Sequence, residues 1–317
     1  MIRVGIVGGS GYVAGELIRH LIHIEQVKID FIFSHSRAGE PVWHTHRDLF
    51  HRPDLHFTGT LLKDIDLVFL CLGHGFSKQF LAENTFSPKT HIIDMSRDFR
   101  LKEQAIFKGM KFIYGLPSLN RDRISEAQYI ANPGCFATAI QQALLPLAKV
   151  NKIQDAVHIH AITGSSGAGR TPSETTHFSW RDNNVSIYKA FQHQHIDEIK
   201  ESLRVLQREF DQPLNFLPLR GNFTRGIFAS IYTRTELSES TLIELYRSFY
   251  EMEPYTIITT SPVDLKQVVN TPYNLIQVQK IEDKILVTSI LDNMIKGAAG
   301  QAIENMQIMM ANHFINP

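Results

Sequence analysis

The chain has 317 residues, in which 32 basic side chains balance 32 acidic ones to a formal net charge of zero. Dedicated nucleic-acid binders usually show a basic excess, and no apolar run here reaches the ~18 residues of a membrane span, so neither nucleic acid nor membrane is an expected partner. The length predicts two domains of ~150 residues, and the presence of only two cysteines predicts a reducing, cytoplasmic setting without disulfides.

The N-terminal half alternates predicted strands with predicted helices. Apolar residues at helical spacing predict a helix over 12–23, and short apolar runs predict strands at 2–8, 27–33, 66–72, 92–94 and 129–131. Apolar strands that alternate with helices are typical of a parallel sheet covered on both faces. The first half is therefore predicted to be an α/β domain.

A glycine-rich turn that includes Gly8, Gly9 and Gly11 follows the first strand. A turn without side chains lets a phosphate approach the backbone N–H groups at the positive end of a helix. The position between a strand and a helix favours a dinucleotide-binding turn. The spacing departs from the strict G-x-G-x-x-G form, so a plain strand-to-helix turn is the alternative.

The end of the second strand indicates which dinucleotide is bound. NAD binders usually place a carboxylate there for the ribose hydroxyls. Here Asp30 lies in mid-strand, and the strand is followed by Ser34, Ser36 and Arg37. Two hydroxyls and a guanidinium suit a 2′-phosphate, so NADP is the predicted cofactor. An exposed loop arginine without a ligand is the alternative.

The two cysteines occupy different settings. Cys71 lies in an apolar run and is predicted to be a small core residue of a buried strand. Cys135 follows Pro133-Gly134 and precedes apolar residues at helical spacing, which predicts a position at a helix N-terminus. There the helix dipole and the free N–H groups stabilise a thiolate, the form that attacks acyl groups. Cys135 is therefore the predicted nucleophile.

The pattern changes beyond residue 135. Helices are predicted over 195–210, 238–251 and 297–311, and strands at 157–162, 228–232, 275–278 and 285–290. Strands grouped apart from helices predict an α+β domain on a mixed or antiparallel sheet. The predicted domains are 1–135 plus 297–317, since the last helix is expected to pack on the first domain, and 136–296.

Fifteen histidines offer proton-transfer partners for the predicted nucleophile. His195 and Glu198 lie three residues apart at the start of a predicted helix and so share a face, where the carboxylate can orient the imidazole. A solvated helix start is the alternative, and His193 is the other candidate base.

Four further histidines form a second group, with spacings that match no standard zinc pattern: His44, His46, His51 and His56. No cysteine joins them, so no metal site is predicted.

Six motifs occur in chain order: Gly-x-Ser-Gly-Tyr at 8–12, Asp-Met-Ser-x-Asp-Phe-Arg at 94–100, Tyr-Gly-Leu-Pro at 114–117, Asn-Pro-Gly-Cys at 132–135, Gly-Ser-Ser-Gly-Ala-Gly-Arg at 164–170 and Lys-Gly-Ala-Ala-Gly-Gln-Ala at 296–302. Together they closely resemble the N-acetyl-γ-glutamyl-phosphate reductase family of the aspartate-semialdehyde dehydrogenase superfamily. The resemblance extends from residue 1 to about residue 312.

This resemblance implies a Rossmann α/β domain with a second α+β catalytic and dimerisation domain of the semialdehyde dehydrogenase type. It implies NADPH-dependent reduction of N-acetyl-γ-glutamyl phosphate to the semialdehyde and phosphate, in arginine biosynthesis, by a homo-oligomer (dimer or tetramer). Cys135 would form the thioester, and His195, oriented by Glu198, would be the acid/base.

Motif positions also supply predicted contacts. Those to the substrate are Arg100, Ser165 and Arg170. Those to the cofactor are Gly8, Ser10, Gly11, Tyr12, Val13, Ser34, Ser36, Arg37, Gly73 and Asn293.

The sequence departs from the family pattern in two places. Ser118 stands where the family commonly has Glu, and residues 218–224 read Pro-Leu-Arg-Gly-Asn-Phe-Thr in place of a Pro-His-Leu and Pro-Met pattern. Because an arginine can bind a carboxylate with two hydrogen bonds, Arg220 is predicted to contact the substrate and to favour an N-succinyl over an N-acetyl group. Drift in a loop is the alternative.

Two further functions stay open from sequence alone. An N-acyl-aminoadipyl phosphate is one methylene longer, and a single methylene gives only ~1–3 kcal/mol of discrimination. A non-catalytic NADP-binding sensor would share the fold. Retention of both Cys135 and His195 argues against the sensor.

Overall fold

The computed structural model describes residues 1–314. Two compact units divide the chain: residues 1–133 together with the segment from 298 onward, and residues 134–297. The predicted first domain extended to residue 317, and residues 315–317 lie outside the described residues.

The first unit is built on an eight-stranded sheet. Its elements up to residue 133 are β1 (Ile2–Val7), α1 (Tyr12–Leu21), β2 (Val27–Phe33), β3 (Phe57–Thr58), β4 (Leu67–Leu70), α2 (Phe76–Glu83), β5 (His91–Asp94), β6 (Ile106–Phe107), β7 (Met110–Tyr114), α3 (Pro117–Ser125) and β8 (Tyr129–Ala131). The strand order is β3-β2-β1-β4-β5-β8-β7-β6. All neighbours are parallel except β6 and β7.

This strand order places a ligand site. The chain order reverses between β1 and β4, and open α/β sheets bind ligands beyond the carboxyl ends of the strands at such a switch point. The predicted glycine-rich turn leaves β1 at that end. Every residue of β4 is buried, as expected of a strand covered on both faces.

The second unit is built on a seven-stranded mixed sheet. Its elements are α4 (Cys135–Lys149), β9 (Val157–Thr163), α5 (Phe178–Arg181), β10 (Ser186–Ile187), α6 (His195–Leu206), β11 (Leu214–Arg220), β12 (Ile227–Arg234), α7 (Glu239–Phe249), β13 (Thr256–Thr259), β14 (Asn274–Ile281) and β15 (Lys284–Leu291). The strand order is β10-β11-β9-β12-β15-β14-β13. Helix α4 packs against α6 and against strands β12 and β15, so it is the central helix of this unit.

The C-terminal segment completes the first unit. A π-helical turn, Ile295–Ala299, leads into α8 (Gly300–Met309), where the sequence predicted one helix over 297–311. Ala302, Ile303 and Met306 of α8 share an apolar cluster with Ile6 of β1 and Leu17 of α1. Within residues 1–314, no helix has the length and apolar character that crossing a membrane requires.

Candidate active site

The glycine-rich turn has the shape of a phosphate cradle. Gly8 has φ +81°, and a Cβ there would lie 2.6 Å from the Cys71 carbonyl oxygen, so only glycine fits. The Gly9 N–H donates to Phe33 O at 2.9 Å. Helix α1 then begins after Gly11 without a side-chain cap or an acidic residue in its first turn. Its first N–H groups have no partner within the helix, and Tyr12 and Val13 supply two of them.

The residues after β2 form a turn in which the three predicted contact residues differ in exposure. Ser34 is buried, Ser36 is exposed and Arg37 is half-buried, with the Arg37 guanidinium 2.9 Å from Glu40. The mid-strand carboxylate, Asp30, is paired with Arg3 at 2.7 Å and with Lys28 at 3.0 Å. The negative charge of Asp30 is therefore already balanced by two basic side chains of strands β1 and β2.

Two other predicted contacts in the first unit differ in exposure. Gly73 is exposed and accepts the Phe76 N–H at the entrance to α2. Arg100 is 7 % exposed, and its guanidinium donates to Asn132 O at 2.8 Å and to Met95 O at 3.0 Å. Arg100 thus binds backbone carbonyls of the segment that leads to residue 133.

The predicted nucleophile heads the central helix of the second unit. Helix α4 begins at Cys135 after an extended Gly134, and residues 136–148 are buried. Cys135 itself is half-buried, so its thiol is reachable while its backbone is fixed by the helix. A Cβ on Gly297 would lie 2.8 Å from the Cys135 Cβ, which shows that the chain passes directly beside the cysteine.

Glu198 connects the predicted base to the start of α4. One carboxylate oxygen accepts the Gly134 N–H at 3.0 Å, and the other lies 3.9 Å from Nε2 of His195. His195 and Glu198 are 6 % and 3 % exposed. The two residues share a face of α6, as their spacing of three predicted, and through Glu198 that face contacts the start of α4.

His193 is distinguished from His195 by its environment. Its Nδ1 accepts the His195 backbone N–H at 3.2 Å, so its ring proton resides on Nε2. Burial, together with the nearby His195, lowers the pKa of His193 to about 3. Its ring is surrounded by those of Phe136, Tyr188 and Phe216. His193 is therefore neutral at physiological pH.

Cys71 differs from its predicted setting. Strand β4 ends at Leu70, so the prediction of a cysteine inside a buried strand was wrong by one residue. Cys71 is half-buried and packs against the core of the first unit, and burial and the nearby Asp94 raise the pKa of its thiol. A thiol held protonated in this way is a weak nucleophile.

The segment that follows β9 is fixed against the segment before β12. The Ser165 N–H donates to Phe223 O at 2.9 Å, and the Asn293 amide links the two segments by accepting the Gly226 N–H at 2.6 Å and donating to Ser166 Oγ at 3.0 Å. Ser165 is half-buried and Arg170 is exposed. Asn293 therefore has a bracing role within this unit, in addition to its predicted cofactor contact.

Two cations lie near Tyr188, whose ring contacts that of His193. The Arg220 guanidinium stacks on the Tyr188 ring at 3.9 Å, and burial and the charge of Arg220 lower the pKa of Arg181. Arg181 is 7 % exposed and donates to Thr163 O at 3.1 Å, while its buried Nε has no hydrogen-bond partner within residues 1–314. Neither guanidinium forms an ion pair in the described part of the chain.

Sequence reasoning missed Arg181 and Gly297. Arg181 lies in a Trp-Arg-Asp-Asn stretch that has no periodicity or motif, so no local signal was available. Gly297 was read as part of a helix, because its approach to Cys135 is a tertiary contact 162 positions away along the chain.

Comparison with known proteins shows to which family the chain belongs. The family model described as "Semialdehyde dehydrogenase, NAD binding domain" matches residues 3–127, and "Semialdehyde dehydrogenase, dimerisation domain" matches residues 135–293. The N-acetyl-gamma-glutamyl-phosphate reductase of Flavobacterium johnsoniae is 53% identical over 309 residues, which cover 98% of this chain and 95% of that protein. The chain belongs to the N-acetyl-γ-glutamyl-phosphate reductase family. Another reductase of the family, from Christiangramia forsetii, is 50% identical over 98% of the chain and 95% of its own length.

The fold of this reductase-family chain also matches solved structures. Aspartate semialdehyde dehydrogenase II from Vibrio cholerae aligns with a TM-score of 0.73, covering 98% of this chain and 99% of that one, at 15% identity. Aspartate semialdehyde dehydrogenase with NADP from Candida albicans gives a TM-score of 0.71 over 99% of both chains. The predicted fold class, an α/β nucleotide-binding domain with a semialdehyde dehydrogenase dimerisation domain, is thereby confirmed.

Proposed function

We propose that the chain is an NADPH-dependent reductase that converts N-acetyl-γ-glutamyl phosphate to N-acetylglutamate semialdehyde and phosphate, as the names of its relatives indicate. One observation supports the chemistry most directly. Cys135 heads a buried helix, and a single carboxylate, Glu198, both binds the N–H of the preceding Gly134 and faces His195. This is a nucleophile with a base and an orienting group, all held by the same helix pair.

In the first step, Cys135 Sγ attacks the acyl carbon of the substrate. A C–S bond forms, the bond from that carbon to the phosphate oxygen breaks, and phosphate leaves with the electron pair. N–H groups at the start of α4 stabilise the oxyanion. The buried body of α4 keeps the sulfur in place, which lowers the cost of orienting it for attack.

NADPH, when bound, supplies the hydride that reduces the thioester. His195 donates a proton to the carbonyl oxygen as negative charge develops there, and Glu198 stabilises the imidazolium that precedes this transfer. His195 then takes the hydroxyl proton back as the C–S bond breaks, which releases the aldehyde and the Cys135 thiolate. His193 is a poor substitute as the base, because its pKa is about 3 and its Nδ1 already accepts a backbone N–H.

The cofactor fits the first unit. Gly8 and Gly9 lie where a side chain would collide with Cys71 O or Ile32, and together with Gly11 they open the N-terminus of α1. Ser10, Tyr12 and Val13 follow in the same turn, while Ser34, Ser36 and Arg37 follow β2. These groups would hold the pyrophosphate and the 2′-phosphate.

The reverse reaction tests the activity. Phosphate-dependent reduction of NADP is measured with N-acetylglutamate semialdehyde, N-succinylglutamate semialdehyde and the N-acetyl-aminoadipate analogue. Turnover of the glutamate compounds supports the proposal, and turnover of the aminoadipate compound alone overturns its chain length. A chain that binds NADP but turns over none of the three, with a Cys135 inert to iodoacetamide, is the sensor.

A specific observation favours a second candidate, in which the same reaction takes the N-succinyl in place of the N-acetyl substrate. Arg220 lies close enough to Arg181 that its charge, together with burial, lowers the pKa of Arg181, and neither forms an ion pair within residues 1–314. Two guanidiniums near Tyr188 that form no ion pair suit a carboxylate. We expect Arg220→Met to lower kcat/KM for the succinyl compound about tenfold or more and to leave the acetyl compound nearly unchanged. A wild-type preference for the acetyl compound contradicts this assignment.

The second unit is proposed to form a homo-oligomer, dimer or tetramer, in keeping with the dimerisation-domain model that matches it. On one face of its sheet, alternate residues of β9 and β12 are buried, and α4 packs on β12. On the other face, Ile162, Leu219 and Phe228 are neighbours across three strands and are only partly buried. We expect Phe228→Asp to shift the sedimentation mass toward the monomer. A cytoplasmic location is part of the same proposal, since both cysteines are free thiols.

A further inference from the structure

The histidine group between β2 and β3 is divided by the fold. His44, His51 and His56 are exposed, whereas His46 is 5 % exposed. Within residues 1–314, no group of three His, Cys, Asp or Glu side chains is arranged to hold a metal ion. The one buried member of this group therefore requires a different explanation.

His46 is bonded to the glycine-rich turn. Its Nε2 lies 2.8 Å from Gly9 O, and because a carbonyl oxygen only accepts, Nε2 carries the proton. The ring also fits closely against α1, since a Cβ on Gly15 would lie 2.5 Å from its Nδ1. Gly15 therefore makes room for the imidazole, and the imidazole reaches the turn from the protein side.

Gly9 is consequently held at both of its polar groups. Its N–H donates to Phe33 O at the end of β2, and its C=O accepts from His46. The chain has no cis peptide within residues 1–314. In a planar trans peptide the C=O of one residue and the N–H of the next point in opposite directions. The bond to His46 thus turns the Ser10 N–H away from His46.

Loss of the hydrogen bond between His46 and Gly9 should weaken the affinity for a dinucleotide. A turn with glycines at 8, 9 and 11 has more backbone freedom than other sequences, and the ordering of a mobile turn on binding weakens affinity. We propose that His46 is a positioning residue for the pyrophosphate: its Nε2–H fixes the Gly9–Ser10 peptide, so that the Ser10 N–H and the start of α1 have a fixed orientation before the dinucleotide arrives. This inference rests on the proposed cofactor site.

A pair of polar substitutions separates this role from simple packing. In His46→Gln the side-chain amide nitrogen can reach the position of Nε2, whereas in His46→Asn it reaches only that of Nδ1. We expect His46→Asn to raise the Kd for NADPH about tenfold, because one orienting hydrogen bond is lost, and His46→Gln to stay within about threefold of wild type. His44→Asn, the same change at an exposed neighbour, is the control and should bind like wild type.

Titration with both NADPH and NADH tests whether His46 acts on the pyrophosphate, which the two dinucleotides share. The pyrophosphate is common to NADPH and NADH, so His46→Asn should weaken both by the same factor, and kcat at saturating NADPH should stay within about twofold of wild type. Binding is measured by titration calorimetry, and the melting temperature is recorded without ligand.

Each result bears on a distinct claim. Equal affinities for the Asn and Gln variants overturn the role of His46, as does a loss confined to NADPH. A loss of affinity that merely parallels a lowered melting temperature in both variants also overturns it, because that is the result of a packing defect. Failure of the wild-type chain to bind either dinucleotide overturns the cofactor site itself.

Discussion

Two helix N-termini in different units of the molecule both follow a glycine. Helix α1 begins after Gly11 and helix α4 begins after Gly134, and neither has a side-chain cap or an acidic residue in its first turn. Helix α7 is the contrast, since Ser238 Oγ accepts the Thr241 N–H at its start. At α2 the carboxylate of Asp98 accepts the N–H of Gly75 and two N–H groups of the helix itself, whereas at α4 Glu198 accepts only the N–H of Gly134, which precedes the helix.

The difference between capped and uncapped helix starts shows which positive helix ends remain available to bind an anion. A serine or aspartate at a helix start contributes about 1 kcal/mol by binding the free N–H groups. A glycine gives up only a few tenths of a kcal/mol of this stabilisation and leaves the positive helix end to an anion. We interpret α1 as serving a phosphate of the cofactor and α4 as serving a thiolate and the oxyanion that follows it.

Removal of the sulfur at α4 should give the largest effect. We expect Cys135→Ser to lose at least ~10⁴-fold in turnover, because a serine hydroxyl is a far weaker nucleophile than a thiolate, while the Kd for NADPH stays unchanged. Turnover is measured by the reverse assay. Cys71→Ser is the matched control and should keep wild-type turnover. Substantial turnover by the Cys135 variant would refute its role.

Displacement of the sulfur should have the next largest effect. The added methyl of Gly297→Ala would lie 2.8 Å from the Cys135 Cβ, which forces a shift of the order of 1 Å, and such a misplacement lowers kcat about 100-fold. The rate of Cys135 alkylation and kcat are measured together. Normal kcat in a folded Gly297→Ala protein would show that the cysteine tolerates movement.

A change at the other helix start should weaken the cofactor and spare the thiol. In Gly8→Ala, the new Cβ would meet Cys71 O at 2.6 Å in a left-handed conformation, so the Kd for NADPH should rise more than tenfold while Cys135 alkylation continues. Gly109→Ala has a comparable φ of +82° with nothing within 4 Å. It controls for backbone strain alone, ~1 kcal/mol, and should bind NADPH normally.

Acid should destabilise the surroundings of α4 through His193. Its pKa is about 3 in the folded chain and ~6.5 in an unfolded one, so between these values the unfolded state binds more protons. The free energy of unfolding therefore falls as pH is lowered from 6.5 toward 3, by on the order of 2 kcal/mol at pH 4.5. Urea titrations of wild type and His193→Asn should show a flatter pH dependence for the variant. The same pH dependence in both proteins would show that His193 is not the cause of the acid destabilisation.

The parts of the fold that were predictable from sequence are those with an unambiguous local pattern. The Asn-Pro-Gly-Cys turn before a long apolar helical pattern indicated that α4 begins at Cys135, and the alternation of β9 indicated a sheet covered on one face. Strand β11 was missed because it contains Pro218, and proline is typical of strand edges and breaks. The short strand β13 was missed as well.

The site was predictable only as far as its residues lie near each other in sequence. His195 and Glu198 share a helix face by spacing alone, so their proximity was expected. His46 and Gly9 are 37 positions apart, and nothing in the sequence around His46 distinguishes it from its three exposed neighbours. His46 can be distinguished from the exposed histidines only by its packing against Gly15, which is a property of the folded chain.

The discontinuity of the first unit has a consequence for biosynthesis. Ala302, Ile303 and Met306 of α8 belong to the same apolar cluster as β1, so the nucleotide-binding unit lacks part of its core until α8 leaves the ribosome. Residues 134–297 form one uninterrupted segment and have no such delay. Since domains fold as units during synthesis, the unit with the proposed nucleophile can mature first, although most of it is encoded second.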